Sequence, residues 1–537
     1  MSSAPSRFLP GLILAVLLAA GCLALPDDGN GHPSAGADAA STAWLESLLP
    51  NGDDHDHFDR SQHLGRSTPN FEVVGFDSLE TDHDGRTPGG YFCGDLATHD
   101  GRTFAVTHSF SGDVAFVVVD VTDPAQPTKV GEFVMENTQV WDLAITADQQ
   151  YVLLATSPFG NLDDVPQGGF VLPPPAWPRM AWRDACTGTE TMVKGPEASL
   201  PWHSGLVLVD VQDLDAMAVV DFVPAAGQGG HSIVVEDLGG DRIVFATVSN
   251  GAPANYYHIL TVEETPLGGR LVSQSIYQTD HEALANGDVN GQVADIRGLA
   301  INHDGFLQQH PITGQRLAYV ADGDWGVTVL DLEDLKMPRV IARWDHAGEI
   351  ANPDSGHFAH SILPLAELWD GRHYTFVSEE CTSRPADTPT CLVYVLDTTD
   401  PTRPTLAGAY TDPVDAGAWS YPGFSPHYMA IHDRTLFLAH WHAGLWALDV
   451  STPEALRTMP VIGAFLPDFE TSYAPYDNRL PINLDSYNMN PTVPDVMLSG
   501  DTVIVFDGTS GIYDLRFDRT KPMPSPEPWP VNWEAGP

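Results

Sequence analysis

The stretch "FVVVDVTDPAQP" (Phe116 to Pro127) returns as "LVLVDVQDLD" (Leu206 to Asp215), "VTVLDLEDLKMP" (Val327 to Pro338), "VYVLDTTDPTRP" (Val393 to Pro404) and "LWALDVSTPEAL" (Leu445 to Leu456). Each copy is a short aliphatic, β-branched run that stops at an acidic residue and a polar or proline turn, the pattern of a buried strand followed by a tight reversal. Self-similarity at this spacing marks a repeat architecture, and for four-stranded units that architecture is an all-β propeller. The acidic residues closing the phrase, Asp120, Asp210, Asp331, Asp397 and Asp449, are read as structural acceptors for backbone N–H groups of the turn that follows.

Upstream of each phrase lies a candidate innermost strand: "DLATHDG" at Asp95, "DLAITAD" at Asp142, "HSIVVED" at His231, "RGLAINHDG" at Arg297, "HSILPLA" at His360, "HYMAIHD" at His427 and "DVMLSGD" at Asp495. These give a seven-bladed β-propeller, with six or eight blades the alternative if blade three, the most degenerate, is misread. The last unit supplies no fourth strand, whereas "FEVVGFDSL" (Phe71 to Leu79) precedes the first blade and resembles the outer strand "PTKVGEFV" (Pro127 to Val134). The N-terminal strand is therefore expected to close the last blade and hide both sheet edges. Ser157 to Ser204 and Pro467 to Val493 are the long insertions.

The segments "AYVADGDWGVTVLDLEDL" (Ala318 to Leu335), "FLAHWHAGLWALDVSTP" (Phe437 to Pro453) and "VYVLDTTDPTRP" resemble the LVIVD-repeat proteins over a stretch from about Phe71 to Phe517. The resemblance implies a cell-surface β-propeller lipoprotein. A more distant analogy of fold and histidine placement links the chain to the selenium-binding protein and methanethiol oxidase propellers.

Arg7 and an apolar run from Leu12 to Ala20, too short to span a bilayer, lead into "LAAGC" (Leu18 to Cys22). Residues 1–21 read as a lipoprotein signal peptide, Cys22 as the lipidation site, 22–66 as a flexible linker, 67–519 as the propeller and 520–537 as a proline-rich tail. The alternative is a plain secretory signal with an incidental cysteine. The expected location is extracytoplasmic, on a membrane reached through the anchor. A formal charge of −47, from 72 acidic against 25 basic residues, repels phosphate backbones and excludes nucleic acid as a partner. The remaining cysteines form an even set in an exported chain, so Cys381–Cys391 is expected as a loop-closing disulfide and Cys93–Cys186 follows by elimination.

At one level of the innermost strands stand Asp95, Asp142, His231, Arg297, His360, His427 and Asp495, which ring closure brings to one channel end. A second tier, at the ends of the next strands, holds His108, Asp322, Glu379, His440 and Asp507. Imidazole with carboxylate suits a transition metal such as Cu, Zn or Mn, with His231, His360, His427, His108, His440, Asp322 and Glu379 as ligand candidates. The same ring can instead satisfy itself by ion pairing. "HWH" (His440 to His442) and the linker stretch "HDHFDRSQH" (His55 to His63) are lesser clusters. No nucleophile elbow, P-loop, dinucleotide fingerprint, EF-hand or HExxH motif occurs. Two functions remain: a binding scaffold for a protein, glycan or small ligand, and an extracytoplasmic metalloenzyme, an oxidoreductase or hydrolase, with its site in the channel.

Overall fold

The repeat phrase becomes the third strand of its blade in a computed structural model that describes residues 67–79, 91–99, 101–109, 114–136, 138–158, 179–186, 188–193, 205–225, 229–249, 256–266, 268–278, 302–323, 326–344, 359–380, 392–411, 426–441, 444–465, 467, 493–508 and 510–521. Blade one is β2 (Tyr91–His99), β3 (Arg102–Ser109), β4 (Val114–Asp120) and β5 (Thr128–Met135). Blade two is β6 (Thr138–Ile145), β7 (Tyr151–Pro158), β10 (Gly205–Asp210) and β11 (Ala218–Pro224). Blade three runs β12 (Gly229–Leu238), β13 (Asp241–Ser249), β14 (Tyr256–Thr265) and β15 (Gly268–Tyr277). Blade four is β16 (Gly305–Gln309), β17 (Arg316–Ala321), β18 (Val327–Asp331) and β19 (Arg339–Trp344). Blade five is β20 (Ala359–Pro364), β21 (Tyr374–Glu379), β22 (Leu392–Asp397) and β23 (Thr405–Thr411). Blade six is β24 (Met429–His432), β25 (Thr435–Ala439), β26 (Leu445–Asp449) and β27 (Val461–Phe465). Blade seven is β28 (Asp495–Ser499), β29 (Thr502–Asp507), β30 (Gly511–Phe517) and, from the chain's other end, β1 (Phe71–Asp77).

The innermost strands β2, β6, β12, β16, β20, β24 and β28 touch in that order and β28 returns to β2, which closes a seven-bladed propeller around a channel. Apolar cores lie between blades. Val118, Phe133 and Trp182 pack on Val207 and Phe222 of blade two, and each later interface has its own cluster, down to Ala105 and Val117 against Ile504 and Phe506 of blade seven.

Local chemistry repeats with the strands. Oδ1 of Asp120, Asp210, Asp331, Asp397 and Asp449 accepts from the backbone N–H two residues on, at 3.0, 3.1, 2.9, 3.0 and 2.9 Å. Arg102, Arg339, Arg372 and Arg519 add ion pairs to Asp120, Asp331, Asp397 and Asp449. A β-bulge two residues before each of these aspartates, as at Val118/Val119 and Val329/Leu330, tightens the twist toward the rim.

β1 pairs antiparallel with β30 from Phe71↔Phe517 to Asp77↔Ile512. Phe71 meets Phe517, Phe465 and Phe437 with ring centroids 4.8, 6.2 and 6.3 Å away. Asp77 Oδ2 accepts from Lys129 N (3.1 Å), and Lys129 Nζ donates to Leu79 O (3.2 Å), so β1 is bolted to blade one as well. Gly75 is required there, because a Cβ would stand 2.2 Å from Pro124 O.

Two expectations change. Cys93 and Cys186 are free thiols, not a disulfide. Cys93 is buried on innermost β2, whereas Cys186 is exposed beyond β8 (Met180–Asp184), which with β9 (Glu190–Met192) extends blade one past β5. The four strand spacings between them amount to roughly 19 Å, far beyond the ~7 Å Cα limit of a bridge. The channel strand of blade four begins at Gly305 as β16, and Arg297, expected in the ring, lies outside the described residues. Cys22, the 22–66 linker, His55 to His63, Cys381, Cys391 and His442 also lie outside the described residues.

Asp514, on β30 between Gly75 and Ile504, is buried and both carboxylate oxygens lack a hydrogen-bond partner among the described residues. Burial pushes its carboxyl from the usual 3.8 up to about 7. A raised carboxyl pKa weakens the fold as pH rises through that window and leaves it unaffected below it. Asp514→Asn should therefore raise Tm at pH 8, by about 1–3 kcal/mol of stability, with the gain vanishing near pH 4 in thermal melts. For β1, deletion of residues 71–79 should expose the β30 edge and cause aggregation on size exclusion, whereas deletion of 23–66 should leave the melt unchanged; Phe71→Ala should cost about 3–5 kcal/mol.

Candidate metal centre in the channel

Four consecutive blades deliver a histidine to one level of the channel. His231 and His360 occupy β-bulges, where the register of β12 and β20 skips from Gly230 to Ser232 and from Ala359 to Ser361, and a bulge turns its extra side chain out of the alternation. His303 and His427 stand just before β16 and β24, each donating its backbone N–H to the second strand, to Ala321 O and Ala439 O at 2.9 Å. Hydroxyls of the preceding blade fix the carbonyls of these two: Thr247 bonds His303 O, while Ser361 (2.8 Å) and Ser378 bond His427 O.

The imidazoles form a row. Ring centroids are 4.5 Å apart for His231 and His303, 4.1 Å for His303 and His360, and 4.2 Å for His360 and His427. His231 Nε2 and His303 Nε2 meet at 2.9 Å, which needs one ring to donate and the other to accept. Two carboxylates join the row. Asp304 Oδ1 lies 3.1 Å from His303 Nδ1, its Oδ2 lies 3.7 Å from His360 Nδ1, and the Tyr428 hydroxyl bonds the same carboxylate. Glu380 sits between two rings, 3.5 Å from His360 Nε2 and 3.9 Å from His427 Nε2.

Burial lowers His231 to about 3 and His427 to about 4, and burial with the neighbouring imidazoles pushes His360 well down, so these rings are neutral at pH 7. His303 is the exception: burial lowers it, but the Asp304 carboxylate more than offsets this and holds it above the usual range. Burial raises Glu380 to about 7.

The remaining blades treat the channel differently. Asp95, Asp142 and Asp495 are spent on the scaffold: their Oδ2 atoms accept from Ile145 N (2.9 Å), Ile233 N (2.9 Å) and Gly94 N (3.1 Å) of the next blade. The level of the histidines is taken by Trp141 in blade two and Pro494 in blade seven. Below it a cavity of about 280 Å³ runs down the axis past Asp142, Asp304, Asp495, Ser232, Tyr428 and Glu236.

The second tier bonds within its own surroundings. His108 Nε2 accepts from Cys93 N (3.2 Å), Asp322 from Asn302 Nδ2 (2.6 Å), and Glu379 from Leu392 N (2.9 Å). His440 stacks on Trp446 at 5.2 Å, and Asp507 bonds Ser510. Among the described residues, the groups close enough to share an ion are His303, Asp304 and His360, and His360, Glu380 and His427. His360 and His427 are thus brought together, His231 adjoins through His303, and His108, Asp322, Glu379 and His440 enter neither group. Sequence reading missed His303, Asp304 and Glu380. A signal for the first existed: "HSIV", "HDGF", "HSIL" and "HYMA" share a histidine three residues before an apolar or small channel position. Nothing in the sequence favours Glu380 over Glu379.

Residues 111–134, which include β4 and most of β5, match the LVIVD repeat family. The chain carries an LVIVD repeat. Among solved structures it is similar to Sqt1 of Saccharomyces cerevisiae (9% identity, 83% of this chain and 99% of that one, TM-score 0.41). It is also similar to the WD40 β-propeller domain of Doa1 (8%, 83% and 97%, TM-score 0.41). A third is the periplasmic gluconolactonase PpgL of Pseudomonas aeruginosa (13%, 68% and 96%, TM-score 0.37). A comparison with curated proteins finds no match.

Proposed function

We propose that this LVIVD-repeat propeller is an extracytoplasmic metalloprotein whose channel holds one divalent transition-metal ion on His360 Nε2, His427 Nε2 and Glu380. The observation that carries the reading is the spacing of those atoms, 3.5 and 3.9 Å, too long for good hydrogen bonds. Ligands about 2.1 Å from a tetrahedral ion lie ~3.4 Å from one another, so the group is nearly set for a metal. The far side of the His427 ring has an orienting partner of the kind metal histidines use. His427 Nδ1 donates to Pro494 O at 2.7 Å, and His360 Nδ1 faces Asp304 Oδ2.

Two imidazoles and one carboxylate leave a fourth position for water or substrate, the arrangement of a catalytic rather than a structural centre. A bound ion would supply Lewis acidity there. The protein's part is to keep the imidazoles neutral by burial and to hold them through blade-to-blade bonds.

The scaffold reading shares this fold and needs only exposed loops. The placement of Glu380 between His360 Nε2 and His427 Nε2 favours the metal, because a scaffold has no use for it. Location follows from the sequence: an anchor on Cys22 and the 22–66 leash would place the propeller outside the cytoplasm on a membrane.

Purified protein dialysed against zinc or copper should retain one equivalent by elemental analysis. His360→Ala and His427→Ala should each weaken affinity at least ~10-fold while leaving the thermal melt cooperative. Wild-type protein that retains no ion would overturn the centre. In cells, Cys22→Ser should move the protein from the membrane to the soluble exported fraction, and unchanged membrane association would sink the anchor.

A further inference from the structure

Aromatic residues pack beside the cluster, and one of them has a buried donor with no partner among the described residues. Trp441 lies 4.8 Å from His427, Phe92 lies 5.6 Å from the same ring, and the two aromatics meet at 5.1 Å, 62° between planes. Phe92 reaches this position because β2 bulges between Tyr91 and Gly94. Trp441 holds a φ of 38°, in the left-handed region that a bulky side chain rarely adopts. The bridge between Trp441 and Val493 keeps it there.

Its indole Nε1 is buried with no hydrogen-bond partner among the described residues. The other tryptophan at this level behaves differently. Trp141 lies 5.4 Å from His231, and its Nε1 donates to Ser157 Oγ at 2.7 Å. A buried indole N–H normally finds an acceptor, and leaving one unpaired costs stability. A strained backbone and an orphaned donor at one residue, next to a ligand cluster, are what a binding position looks like before its ligand arrives.

Resting on the metal-centre reading, we propose that Trp441 Nε1–H is the specificity donor for an uncharged carbonyl ligand, an ester or amide bearing a flat apolar group, which binds beside His360, Glu380 and His427. The donor supplies one hydrogen bond to the carbonyl oxygen. Phe92 and the Trp441 ring give the apolar group a face to pack on, with the edge-on geometry aromatic pairs prefer. The ligand is uncharged because Asp304 and Glu380 stand beside the site and the chain carries −47 overall, which repels anions.

Cobalt-loaded mature protein provides the test, since its visible spectrum reports ligands near the ion. Benzamide, acetamide and benzoate are titrated against wild type, Trp441→Phe and Phe92→Leu, after cobalt content is measured for each. Wild type should bind benzamide at least ~10-fold tighter than acetamide or benzoate. Trp441→Phe should keep its cobalt and lose ~10-fold in benzamide affinity, a hydrogen bond to a buried donor being worth about 1.4 kcal/mol. Phe92→Leu should keep cobalt and erase the preference over acetamide. Equal benzamide affinity in Trp441→Phe and wild type, both holding cobalt, would overturn the donor alone. A preference for benzoate would overturn the uncharged class, and wild type without cobalt would remove the metal centre together with this proposal.

Discussion

Closure of the ring is the constraint on which everything else depends. Seven sheets can hide their apolar faces only against one another, so each core is an interface, and a gap anywhere would expose two of them. The closing contact joins the chain's ends. β1 adds the outer strand of blade seven, Phe71 fills the seam against blade six, and Asp77 and Lys129 tie the same strand to blade one.

Closure also creates the channel, and the two arcs of its lining are built differently. In blades seven, one and two, carboxylates accept from the backbone of the next innermost strand, which makes them structural bolts. At the junctions of blades three with four and five with six the bolts are hydroxyls to histidine carbonyls, from Thr247 and Ser361, and the imidazole Nε2 atoms of His360 and His427 face Glu380. One half of the ring therefore holds the fold and the other half presents ligand atoms. The aromatic wall of Phe92 and Trp441 stands where the two halves meet.

Much of the fold was legible because its signals are local. A strand that ends in aspartate and a turn is a contiguous pattern, and the five repeat aspartates each bond a group two residues away. The site was only partly legible. His360 and His427 stand out through their place before an innermost strand, but His303 does not, because it lies inside "RGLAINHDG", whose apolar spacing starts at Arg297. Glu380 is hidden because alternation along β21 makes Glu379 the inward residue, and the chain leaves the strand one residue later.

The sequence by itself determined the repeat, the strand-and-turn content, the blade number and the charge, since each is set by neighbours along the chain. Only the tertiary structure decided which side chains meet. His231, His303, His360 and His427 become a row through bulges and ring closure, Cys93 and Cys186 are separated by the width of a blade, and the β8–β9 hairpin leaves blade two to extend blade one. These outcomes depend on the register and stacking of whole sheets, which no local pattern encodes.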